Sequence, residues 1–366
     1  MSVIKKAAAL GVTALGAVAA KNFYENQFQA MKMVRRLDEN IYMMDYTLDY
    51  ALDELLAKGV SNVPQMLSFV AGKTTFGINL FKTGKGGFAC STFNAFNEKG
   101  EHILARNFDY KKAPCMVVWT HPEKGYASVG VADCNFMLYG DFNKPVKTFN
   151  RLQTLLACMD GVNEKGLSIA ILELKTKATH QNTGKKPIST TVAIRGVLDK
   201  CSTINEAVEF LQSYDMHDAF FCCYHYQITD ASGDSVIVEY VNGEMRLFRP
   251  EKKDGIRPVQ HLENFFLSED GDNSKGFGYD RAEKIEEKLS KSGGNLNELE
   301  AMELLDEVHL NYKHEKYPWY VTTLWSVVYN SNALTATVAA GMNYEKIYRF
   351  SISEPLISLE VRKENF

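Results

Sequence analysis

Apolar residues recur every three or four positions through the first part of the chain. Met31, Val34, Leu37, Ile41, Met44, Leu48, Leu52 and Leu55 fall on one stripe. That period belongs to an amphipathic helix, so residues 21–81 are expected to be mainly helical, with little strand. The pattern breaks at Thr83-Gly84-Lys85-Gly86-Gly87, a linker-like stretch directly ahead of Phe88-Ala89-Cys90. From Cys90 onward, short apolar runs bounded by turn residues take over. Strands are expected at 90–96 and 102–107 around the turn Asn97-Glu98-Lys99-Gly100, and at 116–120, 167–174, 226–229 and 235–240. Helical periods cover 191–200, 204–214, 280–290 and 296–308, and a last meander covers 322–329, 335–339 and 346–352. Strand clusters separated by helical pairs point to an α+β layered protein rather than a repeating βαβ unit.

The first twenty residues differ again. Lys5 and Lys6 precede an apolar run from Ala7 to Ala20 that ends in small residues, the form of a signal peptide. The run is shorter than the ~20 residues that cross a bilayer. Residues 1–20 are therefore expected to be a signal peptide or a short apolar anchor, and the protein to be exported: secreted, periplasmic or membrane-associated. A hydrophobic fraction of 45% with 23% charged residues fits a folded protein with an ample core. The net charge of −4 comes without a Lys/Arg-dense stripe, so no nucleic-acid partner is expected. The seven cysteines form no CxxC pair and no zinc spacing. His217-Asp218 and Cys222-Cys223-Tyr224-His225 match no metal pattern either and read as core.

The chemistry concentrates in the hairpin that starts at Cys90. A tight hairpin returns beside its own first residue, which would set Arg106 and Asp109 near Cys90. A guanidinium beside a thiol favours the thiolate, and a carboxylate there holds an ammonium or orients a base. On spacing alone, a buried cysteine and a surface Arg/Asp pair explain the same residues.

The stretch also resembles the nucleophile hairpin of the cysteine N-terminal nucleophile hydrolases. These include choloylglycine (bile salt) hydrolases, penicillin V acylases, acid ceramidase, N-acylethanolamine acid amidase and the acyl-CoA:6-aminopenicillanic acid acyltransferases. Their Cys is followed sixteen and nineteen residues later by Arg and Asp, as Cys90 is by Arg106 and Asp109 in Ala105-Arg106-Asn107-Phe108-Asp109. Gly161-Val162-Asn163-Glu164-Lys165-Gly166-Leu167 is similar to a family segment whose Asn lies at the substrate pocket, and it equally suits a turn between strands. Glu263-Asn264 stands where relatives carry an Asn of the oxyanion hole; a loop Asn capping a turn is the alternative. Thr322 to Asn330 resembles a late family strand, with Thr322 where many relatives have a basic residue.

The resemblance implies a four-layer αββα sandwich over 90–366, preceded by a helical prosegment at 21–89. It implies autocleavage between Ala89 and Cys90, after which the α-amine of Cys90 serves as base. Arg106 would stabilise the thiolate, Asp109 position the amine, and Asn264 with Asn163 hold the oxyanion. No metal or organic cofactor is called for. The expected partners are a small-molecule N-acyl amide substrate and the chain's own prosegment, retained after cleavage; membrane-surface association and a homo-oligomer stay open. Hydrolysis of a lipophilic N-acyl amide is the expected activity, with acyl transfer through the same thioester, or a non-enzymatic exported relative, as the alternatives.

Overall fold

The computed structural model describes residues 32–74, 89–134, 154–219, 222–313, 315, 320–354 and 358–361. The apolar segment 1–20 and the glycine-rich 83–87 lie outside the described residues. Among the described residues, the elements in order are β1 (Val34–Arg36), β2 (Ile41–Tyr46), α1 (Leu52–Lys58) and α2 (Val63–Thr74). Four strands follow: β3 (Ala89–Phe96), β4 (His102–Lys111), β5 (Cys115–Thr120) and β6 (Ser128–Asp133). Next come β7 (Cys158–Asn163), β8 (Ser168–Lys177), β9 (Pro187–Ser189), α3 (Thr190–Lys200), α4 (Ile204–Gln212) and β10 (Asp215–His217). After β11 (Cys222–Thr229), β12 (Ser235–Val241), β13 (Glu244–Phe248) and β14 (His261–Leu262) the chain forms α5 (Tyr279–Lys291) and α6 (Glu298–Glu307). It ends with β15 (Asn311–Lys313), β16 (Tyr320–Asn330), β17 (Thr335–Ala340), β18 (Lys346–Ser351) and β19 (Ser358–Val361).

Two large sheets face each other. One has nine strands in the order β1-β2-β5-β6-β7-β8-β11-β12-β13; the other has eight, β14-β3-β4-β16-β17-β18-β19 with β15 beside β16. Side chains join them across the middle, as where Thr92 Oγ1 of β3 donates to Gln227 Oε1 of β11. Helix α3 packs on β7 and β8, with α4 beside it; α5 covers β3 and β14, and α6 covers β4 and β16. The result is the four-layer αββα sandwich. Sheets covered on both faces need apolar residues on both, which is why β5, β6 and β12 are buried at every position.

The helices show how their faces were chosen. In α4, Ile204, Ala207, Val208 and Leu211 are buried, and the Thr203 side chain caps the start by accepting from the Glu206 N–H. Helix α6 carries a full capping box between Asn297 and Glu300.

One expectation is corrected. Within the described part of the stripe at 31–55, Val34–Arg36 and Ile41–Tyr46 are strands, and α1 begins at Leu52. Strand β2 runs parallel to β5, with Ile41 opposite Cys115 and Tyr46 opposite Thr120. Without it, β5 would present an open edge, so pairing with that edge overrides the local helical period. Ile41, Met43, Met44 and Tyr46 go into the main core as a result.

Candidate active site

Hairpin β3–β4 builds the centre. Its turn closes at Gly100, whose φ of +78° is the left-handed region that glycine enters freely. The register then sets Thr92 opposite Arg106, Cys90 opposite Phe108 and Ala89 opposite Asp109. The expected juxtaposition is present: Arg106 Nη2 lies 3.2 Å from Cys90 Sγ.

Arg106 is wholly buried and held on every side. Its Nη2 donates to the Ile171 carbonyl at 2.8 Å, its Nη1 donates to the Met159 carbonyl at 2.8 Å, and Nη1 also pairs with the Asp160 carboxylate. Its guanidinium carbon stands 4.8 Å from the Phe108 ring centroid and 5.6 Å from that of Trp325, and those two rings stack. Burial nevertheless outweighs this cation at the sulfur. With Cys90 1% exposed, desolvation pushes its thiol up to about 11, Arg106 lowers it, and Asp109 works against Arg106. Burial thus favours the protonated thiol at neutral pH.

Asp109 is buried beside the bond that precedes Cys90. Thr323 Oγ1 donates to its Oδ1 at 2.5 Å, and Arg281 Nη1 approaches its Oδ2 at 3.4 Å. Burial raises its pKa to about 6, against the lowering by Arg281 and the Thr323 hydroxyl. Asn264 is also at the centre, in a role the sequence did not indicate. Its Oδ1 accepts the Cys90 N–H at 2.9 Å, and its Nδ2 donates to the Glu173 carbonyl at 2.8 Å. It thus holds the backbone nitrogen of Cys90.

Asn163 is not brought to this centre by any hydrogen bond of its side chain. Its Nδ2 donates to the Leu198 and Cys201 carbonyls at 2.9 and 2.7 Å, and its Oδ1 accepts from the Lys165 and Leu167 N–H groups at 3.0 Å. All its amide donors and its acceptor oxygen serve the β7–β8 turn and the end of α3, which leaves nothing for an oxyanion. The turn itself needs glycine: Gly166 has φ +80°, and a Cβ there would meet the Ser331 carbonyl oxygen at 2.1 Å. The His217 and His225 clusters are likewise scaffold. His225 pairs with Glu239, which in turn accepts the Leu267 and Ser268 N–H groups of the loop that carries Asn264.

Three buried groups were missed. Arg281, on α5, donates from Nη1 to the Cys90 carbonyl and to Ser91 Oγ, both at 2.7 Å, and from Nη2 to Asn264 Oδ1 at 3.0 Å. It brings a second guanidinium to this centre, from a helix and not from the position of Thr322. The available signal was its phase: Arg281 lies on the same buried face as Ala282, Ile285 and Leu289. Glu173, 2% exposed, gives its carbonyl to Asn264, and Asp160 pairs with Arg106. Glu173 was read simply as part of the strand at 167–174, and Asp160 was not singled out.

Comparison with known proteins bears on the fold and the family. Two solved structures of variants of conjugated bile acid hydrolase from Clostridium perfringens share the fold, with TM-scores of 0.51 and 0.52 at 14% and 15% identity. Each alignment covers 75% of this chain and 97% of that structure. A penicillin V acylase from Pectobacterium atrosepticum is 29% identical over 158 residues, which is 39% of this chain and 41% of that protein's length. The family model of acyl-coenzyme A:6-aminopenicillanic acid acyl-transferase matches residues 96–345. The chain belongs to that family.

Proposed function

We propose that this protein is an autoprocessed cysteine amidohydrolase that cleaves lipophilic N-acyl amides through a thioester. Its family and its penicillin V acylase relative support the coarser activity, amide hydrolysis or acyl transfer. The observation that carries the finer reading is the pairing at one residue: Arg106 meets the Cys90 sulfur while Asn264 holds the Cys90 nitrogen.

The first turnover is on the chain itself. The Cys90 sulfur attacks the Ala89 carbonyl carbon; the S–C bond forms, the C–N bond breaks, and the nitrogen takes the proton to become an amine. Water then hydrolyses this thioester, leaving a carboxylate on Ala89 and a free thiol and α-amine on Cys90. A thiol pushed up to about 11 needs a base at hand. The released α-amine, with a reference pKa of about 7.7–8.0, is one bond system away and suited to that work near neutral pH. In each later turnover the amine takes the thiol proton, the sulfur attacks the substrate carbonyl, and the proton passes to the departing amine. Water closes the cycle by releasing the acid. Asp109, opposite Ala89, holds the protonated amine.

The surroundings of Asn264 favour an apolar substrate. Phe265 stacks on Tyr279 at 4.5 Å, Tyr279 is 51% exposed, and the Phe277 N–H donates to the Asn264 carbonyl. The prosegment is built into the nine-stranded sheet through β1 and β2, which favours its retention after cleavage.

Intact mass is the test. The wild type should divide before Cys90 and Cys90→Ala should remain whole. Incubation with a labelled N-acyl amide, with and without an added acceptor amine, then separates hydrolysis from transfer. A folded wild type that hydrolyses the amide while its 89–90 bond stays intact would refute the proposal.

A further inference from the structure

Asp160 is a fully buried carboxylate that the reaction above does not use. It sits on β7, across the interlayer from the nucleophile hairpin, and it is surrounded by donors. Arg106 Nη1 pairs with Oδ2, Trp325 Nε1 donates to Oδ2 at 3.0 Å, and the Tyr329 hydroxyl donates to Oδ1. Its backbone neighbour Met159 supplies a carbonyl to the same Nη1. The guanidinium therefore has one end fixed by β7, while its other end, Nη2, reaches the Cys90 sulfur. A buried cation takes much of its orientation from the carboxylate in direct contact with it.

We propose that Asp160 is the positioning residue for Arg106. Its carboxylate, fixed by Trp325 and Tyr329, aims the guanidinium at the Cys90 sulfur and shares its charge. The sharing sets how strongly Arg106 favours the thiolate. Trp325 contributes twice, since its ring also lies against the guanidinium while its N–H holds the carboxylate. This inference rests on the reading of Cys90 as the nucleophile.

The charge sharing gives the proposal a sign that a purely structural role lacks. In Asp160→Asn the oxygen still accepts from Arg106 and Trp325, but the negative charge is gone. Arg106 then acts on the sulfur uncompensated, and Cys90 should ionise at lower pH. Tyr329→Phe leaves the charge and removes one donor that spreads it, so Cys90 should ionise at higher pH. Ionisation is read as thiolate absorbance near 240 nm, taken as the difference between each full chain and the same chain carrying Cys90→Ala. A downward displacement of about one pH unit for Asp160→Asn is expected, with a smaller upward one for Tyr329→Phe.

Circular dichroism establishes that each variant is folded. Unchanged midpoints in both folded variants, or displacements in the same direction, would overturn the proposal. If Asp160→Asn does not fold, the upward displacement in Tyr329→Phe decides alone. Failure of the underlying reading looks different: the wild type itself would show no thiolate assignable to Cys90 and no cleavage before it.

Discussion

The Cys90 backbone N–H donates to Asn264 Oδ1 at 2.9 Å, and Arg281 Nη2 donates to the same oxygen at 3.0 Å. One side-chain oxygen thus ties the nucleophile's own nitrogen to a guanidinium that also binds the Cys90 carbonyl. Removing it in Asn264→Ala leaves two buried donors without their acceptor. The expected cost to stability is about 1–3 kcal/mol, and amide turnover should fall by roughly two orders of magnitude. Urea denaturation and steady-state kinetics measure the two effects separately. Turnover equal to wild type would show that Asn264 is scaffold alone.

Asp109 makes a prediction about pH. Its folded pKa, raised to about 6, lies above the value near 3.9 of an unfolded aspartate. Between those values the folded state holds a proton that the unfolded state has lost, so this residue's contribution to stability is complete below about pH 4 and is lost as pH rises through about 6. The displacement of about two units corresponds to roughly 3 kcal/mol for this fully buried group. Asp109→Asn should therefore gain stability relative to wild type as pH rises from 4 to 7, seen in melting temperatures across that window. Activity runs the other way. A carboxylate that holds the Cys90 amine must be ionised, so wild-type turnover should decline as acid protonates Asp109, with the midpoint displaced below that of the uncut chain by the new ammonium beside it. Parallel melting curves for the two proteins across the window would exclude the raised carboxylate.

The parts of this arrangement that were legible in the sequence are the local ones. The β3–β4 hairpin brings Cys90, Arg106 and Asp109 together through twenty consecutive residues, so spacing and one turn suffice to place them. Helices α3 to α6 were visible because their buried faces keep a helical period. What sequence could not show depends on distant pairing. Residues 41–46 carry apolar positions compatible with a helix, and only the open edge of β5 makes them a strand. Arg281 reaches Cys90 from 191 positions away, and Asp160 meets Arg106 from 54. Asn163 misled for a different reason: an Asn-Glu-Lys-Gly turn has the same wording whether its amide faces a substrate or, as here, the end of a helix.

The parallel pairing of β2 with β5 makes the segment before Cys90 a structural part of the nine-stranded sheet, and this can be tested independently of catalysis. Met43 lies opposite Val117 and is fully buried in the main core. Truncating it in Met43→Ala removes buried volume next to that ladder and should cost about 2–5 kcal/mol. Because the ladder joins the segment before the proposed cleavage point to the strand after the hairpin, the loss should appear in the unfolding of the whole protein. A separate early transition of the prosegment is not expected. After cleavage, the two pieces should elute together in size-exclusion chromatography and separate only in denaturant. A prosegment that elutes alone from a folded remainder, or a Met43→Ala variant as stable as wild type, would show that β2 merely rests against β5.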